Sequence, residues 1–166
     1  MNRPAWQRLA LRLAATRAGG WFYVNVAPII DRVLLRISRG KLSTAMIIPV
    51  VMVEAIGAKT GQVRRTPLLA ARHGDGLIVV ASRGGDSRNP GWYYNLRAHP
   101  AVNAWFDGVS ARYVARELEG DERERAWRIA ADQYPGYDTY QQRTGRRIPV
   151  MLLERAGDPA RSQGGW

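Results

Sequence analysis

The chain has 166 residues, of which 46% are hydrophobic, and it carries a formal net charge of +11 with no cysteine. This length and composition suit one compact domain with a real core and exclude wholesale disorder. The lack of cysteine excludes disulfides, thiol nucleophiles and thiolate metal sites, and two histidines alone make a histidine metal site improbable, so we predict no metal. The charge indicates an anionic partner without identifying it.

The first 41 residues carry eight cationic side chains against one acidic side chain, and we expect them to form a separate N-terminal appendage. Apolar residues recur at helical spacing over residues 6–13 and 22–39, with arginines on the other faces, as in basic amphipathic helices. Such helices either cap the core or contact an anionic membrane surface, where each nearby cation adds about 1 kcal/mol. Because arginines interrupt any apolar run, we expect no signal peptide. The predicted location is the cytoplasm, with a peripheral position on the inner membrane face as the alternative.

Beyond residue 41 the spacing of apolar residues changes from helical to strand periods. Gly-Asp-Gly at residues 74–76 and Asp-Gly at residues 107–108 are typical of hairpin turns. Since helical crossovers between strands are mostly missing, a closed antiparallel barrel is favoured over a parallel sheet. We expect this barrel to occupy residues 42–156 and residues 157–166 to form a loose tail. The predicted strands are residues 49–56, 65–72, 77–82, 101–106, 110–117 and 148–154.

Two helices are predicted between these strands. Asn89 is expected to cap the first helix, with Pro90 at its first position and Pro100 ending it. The second helix is predicted over residues 120–134, with acidic residues in its first turn and Pro135 as its terminator.

The most informative segment is the connection between the first two strands, GAKTGQVRRTP at residues 57–67. Gly57 and Gly61 permit positive φ and close approach of the backbone, and successive N–H groups in such a turn form a nest for phosphate. Lys59 and Arg64 supply positive charge. An ordinary hairpin turn with solvated cations is the alternative. The segment is not a P-loop, because a strand and not a helix follows it.

Three further segments hold candidate ligand-binding residues. Ser-Arg-Gly-Gly at residues 82–85 directly follows a strand, so its amides and its arginine can contact an anion or a carbonyl group. Helical spacing puts Trp92 and Asn95 on one face, which either packs in the core or offers an apolar wall beside an amide. The third segment is a row of tyrosines spaced three residues apart, which either pack or wall a pocket for a planar ligand. They are Tyr134, Tyr137 and Tyr140.

In their order and spacing, these motifs resemble those of the family of deazaflavin-dependent nitroreductases and F420H2-dependent quinone reductases of actinobacteria. Members of this family use coenzyme F420. The motifs are GxKTGQxRxTPL, ASRGG, PxWYxNLxAxP, YPxYxxY and RxIPV, between about residues 50 and 154. The resemblance implies a mainly β fold with flanking helices, a split β-barrel of the flavin-reductase or FMN-binding type. It also implies an F420H2-dependent oxidoreductase that passes a hydride from the reduced deazaflavin to a quinone, a nitro compound or another electron-poor acceptor.

The resemblance also assigns roles to individual residues. The cofactor-binding residues are expected to be Lys59, Thr60, Gly61, Arg64, Pro67, Val80, Ser82, Arg83, Gly84, Trp92 and Asn95. Among these, Lys59 and Arg64 hold the cofactor phosphate. The catalytic and acceptor-pocket residues are expected to be Ser82, Tyr134, Tyr137 and Tyr140. Ala58 stands where the family usually has an arginine, which implies an altered preference for the polyglutamate tail of the cofactor and not lost binding.

Two other functions fit the same barrel. One is an FMN-dependent oxidoreductase, and the other is a non-catalytic F420 carrier or sensor. A nucleic-acid partner is not expected, because the cations concentrate at the N-terminus and in one loop without an aromatic platform. The expected partner is a small-molecule acceptor, and the sequence leaves the oligomeric state open.

Overall fold

The computed structural model of the chain describes residues 49–157. Its strands are β1 Val50–Ile56, β2 Val63–His73, β3 Gly76–Val80, β4 Ala101–Phe106, β5 Val109–Glu117 and β6 Val150–Arg155. They pair antiparallel and close into one barrel in the order β1-β2-β3-β6-β5-β4. This confirms the predicted barrel, and every predicted strand end lies within two residues of the observed one. The predicted N-terminal helices, the boundary at residue 41 and the tail beyond residue 157 lie outside the described residues.

Strand β1 is buried on both of its faces, which explains why it is apolar at nearly every position. Val51 and Val53 join a buried cluster that receives side chains from all six strands and fills the barrel interior. Val50 and Met52 point the other way, into a second cluster that lies between the barrel and its helices. Each fully buried aliphatic side chain of this kind contributes about 1.5–3 kcal/mol. The two clusters together hold the strands that carry the loops described below.

Within residues 49–157, three α-helices flank the barrel, α1 Gly91–Ala98, α2 Gly120–Gln133 and α3 Gly136–Arg143. Leu96 of α1 is only 1% exposed and belongs to the interior cluster, so α1 closes one end of the barrel. The helices α2 and α3 contribute to the outer cluster. No helix within residues 49–157 has the length and apolar character needed to cross a bilayer.

The helix α3 was not predicted, because Pro135 was interpreted only as a terminator. Tyr134 is extended and ends α2, while Pro135 adopts helical angles and begins the next helix. A side chain at Gly136 would overlap the Tyr134 ring, so only glycine permits this tight corner. The proline therefore marks a corner between two helices.

The predicted cap of α1 was wrong. The residue before the helix is Pro90, whose side chain forms no capping hydrogen bond, and α1 begins one position later than expected. The Asn89 side chain instead accepts a hydrogen bond of 2.6 Å from Arg146 Nη1. The helix does end before Pro100, as predicted.

Both predicted hairpin turns are confirmed. A two-residue connection, Gly74 and Asp75, links β2 to β3, since His73 pairs with Gly76. The turn between β4 and β5 has positive φ at both central residues, 52° and 78°, which matches the twist of the flanking strands.

Candidate functional site

The loop of residues 57–62 joins β1 to β2 and is held in shape by its own backbone. The Gly57 N–H donates to Gln62 O at 2.8 Å, and the Gly57 carbonyl accepts from the N–H of Gly61 at 2.8 Å. Gly61 has a φ of 65°, as predicted. Gly57 does not have a positive φ, but a Cβ there would lie 2.8 Å from Thr60 Oγ1 and 3.2 Å from Gln62 O, so a larger residue would require the loop to shift. The predicted positive φ is therefore confirmed for Gly61 and wrong for Gly57.

A hydrogen bond ties this loop to α1. The Ala58 N–H donates to Asn95 Oδ1 at 2.9 Å, across 37 positions of sequence. The loop and the helix thereby form two walls of a cleft of about 920 Å³, and Arg83 and Asn89 also line it. This volume is in the range of small-molecule and cofactor sites, about 300–1,000 Å³.

Among the described residues, four cations line this cleft: Lys59, Arg64, Arg83 and Arg97. Arg83 Nε lies 3.6 Å from a carboxylate oxygen of Asp86. Arg97 Nε lies 3.9 Å from Glu117. Within residues 49–157 neither Lys59 nor Arg64 forms an ion pair, and the Arg64 guanidinium donates instead to the Gln62 amide oxygen at 3.1 Å. Cations that lack an acidic partner on a concave wall favour the binding of an anion.

The turn that follows β3 forms the third wall. Its residues Arg83, Gly84 and Gly85 all have positive φ, at 47°, 68° and 85°. For a non-glycine residue such as Arg83 this conformation costs on the order of 1 kcal/mol or more, so neighbouring contacts must hold it. A Cβ on Gly85 would lie 3.1 Å from the Tyr140 carbonyl oxygen, which shows how closely the turn packs on α3.

Arg146 holds this turn, and sequence reasoning had given it no role. Its guanidinium donates to Asp86 O at 2.9 Å and to Asn89 Oδ1 at 2.6 Å. It also donates to Ala81 O at 3.0 Å and to Ser82 O at 3.1 Å. Partial burial lowers the pKa of Arg146, since desolvation disfavours the charged form. The only sequence signal for this residue was the RxIPV motif, which begins with Arg146 but does not indicate which residues it contacts.

The three tyrosines pack together in the outer cluster and are 3–5% exposed. The hydroxyl oxygens of Tyr134 and Tyr140 lie 2.8 Å apart in a hydrogen bond, and the Tyr134 ring meets Tyr137 edge-on. Burial raises the pKa of Tyr137, so its phenol is neutral at physiological pH. The rings do not line the described cleft, and the turn at residues 83–85 packs against the Tyr140 backbone. The three rings thus pack against one another, and their contact with an acceptor stays a prediction.

Of the other predicted cofactor-binding residues, some line the cleft and others do not. Thr60 is exposed on the cleft with Lys59 and Arg64, whereas Pro67 lies inside β2 opposite Met52 and not in the loop. Val80 is buried at the end of β3, in the cluster that holds the tyrosines.

The face of α1 on the cleft differs from the predicted one. Trp92 is half-buried against the barrel interior and does not line the cleft, although Asn95 does. Tyr94, which is 51% exposed, and Arg97 line the cleft in its place. Trp92 contacts the interior because the buried Leu96 docks α1 on the barrel, which fixes a rotation of the helix that residue spacing alone does not determine.

The protein is a closed antiparallel barrel, and the cationic cleft beside one of its hairpin loops is suited to an anionic ligand of cofactor size. The model of the F420H(2)-dependent quinone reductase family matches residues 32–155. The chain belongs to this family, which confirms the resemblance seen in its motifs. It is therefore an F420-dependent oxidoreductase with coenzyme F420 as its cofactor.

Individual relatives agree with this assignment. An F420H(2)-dependent quinone reductase of Mycobacterium tuberculosis is 42% identical over 112 residues, which cover 64% of this chain and 74% of the relative. A solved F420-H2-dependent reductase, FDR-A, is 41% identical with a TM-score of 0.60, over 64% of this chain and 94% of that one. A solved domain-swapped dimer is 35% identical with a TM-score of 0.62, over 76% and 97% of the two chains.

Proposed function

We propose that this protein transfers a hydride from reduced F420 to a quinone. The observation that carries the proposal is the position of Lys59 and Arg64, which lie on the cleft with no carboxylate partner among residues 49–157. F420 carries a phosphate and carboxylates beyond its ring, so it supplies the negative charge that these cations lack. The cleft of about 920 Å³ is large enough for such a cofactor.

The loop and α1 have different roles in binding: the loop contacts the cofactor, and α1 fixes the position of the loop. Lys59 and Arg64 contact the phosphate as charged donors, and the exposed Thr60 hydroxyl adds a neutral donor beside them. Asn95 keeps the loop at a fixed distance from α1 by accepting the Ala58 N–H. The walls are thus set before the cofactor arrives, which reduces the ordering cost of binding.

The bound deazaflavin supplies a two-electron hydride donor, so the chain needs neither a metal nor a strong nucleophile for this chemistry. The role of the chain is to orient the acceptor, exclude water and stabilise charge that grows on the acceptor oxygen. Ser82 lies two residues after the end of β3, beside the cleft residue Arg83, and its hydroxyl is our proposed donor to that oxygen.

The tyrosines are proposed to serve the acceptor side of the site. A tyrosine phenol is neutral at physiological pH, and burial raises the pKa of Tyr137 further, so Tyr137 can serve as a hydrogen-bond donor. Its neighbours Tyr134 and Tyr140 already share a hydrogen bond. Because these rings are 3–5% exposed and do not line the cleft, acceptor contact requires that the rings or the residues around them move.

The proposal is tested by supplying one cofactor at a time. Reduced F420, reduced FMN and NADPH are each mixed with the protein and menadione, and oxidation is followed by absorbance. Of the three reductants, we expect only reduced F420 to be oxidised. The amount of oxidised F420 should equal the amount of menadione that is reduced. Turnover with FMN alone supports the FMN-dependent alternative. Binding of F420 without turnover on menadione or on a nitroaromatic compound supports a carrier or sensor.

We also propose that residues 1–41, which are rich in arginine, place the protein at an anionic membrane surface. A quinone dissolved in lipid would then be close to the cleft. The test is co-sedimentation with phosphatidylglycerol vesicles and with phosphatidylcholine vesicles, for the full chain and for a chain without residues 1–41. Equal pelleting of both chains with both vesicles contradicts this proposal.

A further inference from the structure

We propose that Arg146 is a positioning residue that fixes the third wall of the cofactor cleft from behind. Its replacement then weakens F420 binding while the barrel stays folded. The inference rests on the proposed function, because it assigns Arg146 to the same cleft.

One guanidinium group holds both ends of the segment 81–89. It donates to the carbonyl groups of Ala81 and Ser82 at the first end, at 3.0 and 3.1 Å. It donates to Asn89 Oδ1 at the other end, at 2.6 Å, and to Asp86 O between them, at 2.9 Å. The partners lie 57–65 positions away in sequence, so this is a tertiary contact and not a local turn.

The segment that Arg146 holds carries two cleft residues. Arg83 and Asn89 both line the cleft, and Ser82 lies at the start of the segment. Arg83 has a φ of 47°, a conformation that an arginine adopts only when its surroundings impose it. Four hydrogen bonds from one rigid group provide such a constraint. The position of the Arg83 side chain on the cleft therefore depends on Arg146.

Lysine cannot replace arginine in this role. The planar guanidinium presents five donors in a fixed fork, whereas an ammonium group is a compact point charge with three donors. Arg146→Lys keeps the positive charge of the segment but cannot reach acceptors at both of its ends. It therefore separates the effect of geometry from the effect of charge.

The next residue offers a matched control. Arg147 has the same chemistry and neighbouring sequence, but its guanidinium pairs with Glu124 at 3.0 Å and is 61% exposed. It does not line the cleft. Arg147→Lys therefore shows how an arginine-to-lysine change at this place in the chain affects F420 affinity and Tm when the four hydrogen bonds of Arg146 are kept.

The experiment compares Arg146→Lys, Arg146→Gln and Arg147→Lys with the wild-type protein. Fluorescence titration gives the Kd for F420, steady-state kinetics gives kcat and the two KM values, and circular dichroism gives Tm. For Arg146→Lys we expect the Kd and KM for F420H2 to rise about tenfold or more, since a wall without its four hydrogen bonds must be ordered when the cofactor binds. We expect the KM for menadione to stay within about twofold and Arg147→Lys to resemble wild type in every reading.

Hydrogen exchange of the cofactor-free protein provides a readout that is independent of activity. Amides of residues 82–89 should exchange faster in Arg146→Lys than in wild type, while amides of the six strands keep their protection. Added methylguanidinium should partly restore F420 affinity to Arg146→Gln, because it can refill the vacated site.

The outcomes separate the two proposals. Wild-type protein that fails to bind F420 overturns the proposed function, while faster exchange at residues 82–89 in Arg146→Lys still supports the role of Arg146 in holding that wall. Wild-type F420 binding with an unchanged Kd and unchanged exchange in Arg146→Lys overturns the inference. Loss of a cooperative melting transition in Arg146→Lys also overturns it, because the arginine would then hold the whole fold.

Discussion

Replacing Lys59 with alanine should weaken F420 binding by about 1.5–2 kcal/mol, a Kd about 10- to 30-fold higher. A hydrogen bond to a charged group contributes about 1.5–3 kcal/mol, and the lower half of that range applies because Lys59 is exposed. A charge pair at 4 Å is worth about 1 kcal/mol in bulk water and about 4 kcal/mol near a protein surface, so an exposed lysine lies between these values.

Arg64→Ala should have a similar effect, because Arg64 lies on the same cleft with no carboxylate partner among the described residues. If both cations contact one phosphate, the double variant loses less than the sum of the single losses. Arg72→Ala is the control. Arg72 lies on the same strand, but it pairs with Asp107 at 2.9 Å and does not line the cleft.

The assay is fluorescence titration of F420 at several salt concentrations. Affinity of the wild-type protein should fall as salt rises, and the Lys59→Ala and Arg64→Ala variants should show a shallower dependence. An unchanged Kd and an unchanged salt dependence for both variants would refute the reasoning, since the loop would then not contact the anionic part of the cofactor.

Three further changes test other parts of the structure. Gly57→Ala places a Cβ 2.8 Å from a hydroxyl oxygen of the same loop, so F420 affinity should fall while Gly145→Ala, in open space, leaves it unchanged in the same titration. Tyr137→Phe should alter turnover or acceptor choice with nearly unchanged F420 affinity, and identical kinetic constants on a panel of quinones would remove Tyr137 from the site. The Arg116 guanidinium lowers the pKa of Glu122 below its usual 4.5, so the pair stabilises the fold above that pH and the stability is lost as pH falls through the lowered pKa. Glu122→Gln should therefore make the urea midpoint less dependent on pH in acid, and a pH dependence equal to wild type would contradict this.

Most of the barrel could be predicted because its signals are local. Alternating or continuous apolar runs mark strands, and the two hairpin turns have positive φ at Gly74, Asp107 and Gly108, which are residue types that favour this conformation. The loop at residues 57–62 was recognised for the same reason. It is both a hairpin connection and a wall of the cleft, so the two interpretations of its sequence were compatible.

The parts that could not be predicted depend on contacts between distant segments. Nothing near Arg146 in sequence indicates that its partners lie at residues 81–89. Likewise, the spacing of Trp92 and Asn95 shows that they share a side of α1, but only the docking of Leu96 in the barrel fixes which neighbours face the cleft. Pro135 carries a local signal that was correct for the end of α2 and gave no information on the corner that follows.

The alanine at position 58 shows how the site can change its preference and keep its architecture. The resemblance of the motifs implies an arginine at this position in the family, yet the contact that holds the loop on α1 uses the backbone N–H of this residue and not its side chain. Any residue except proline supplies that N–H, so the side chain at position 58 is free to vary while the tether to Asn95 stays. Loss of the cation therefore removes charge from the cleft without loosening its walls. The backbone of residue 58 holds the loop, and its side chain would contact the cofactor tail. We therefore expect altered recognition of the tail together with retained binding of the phosphate.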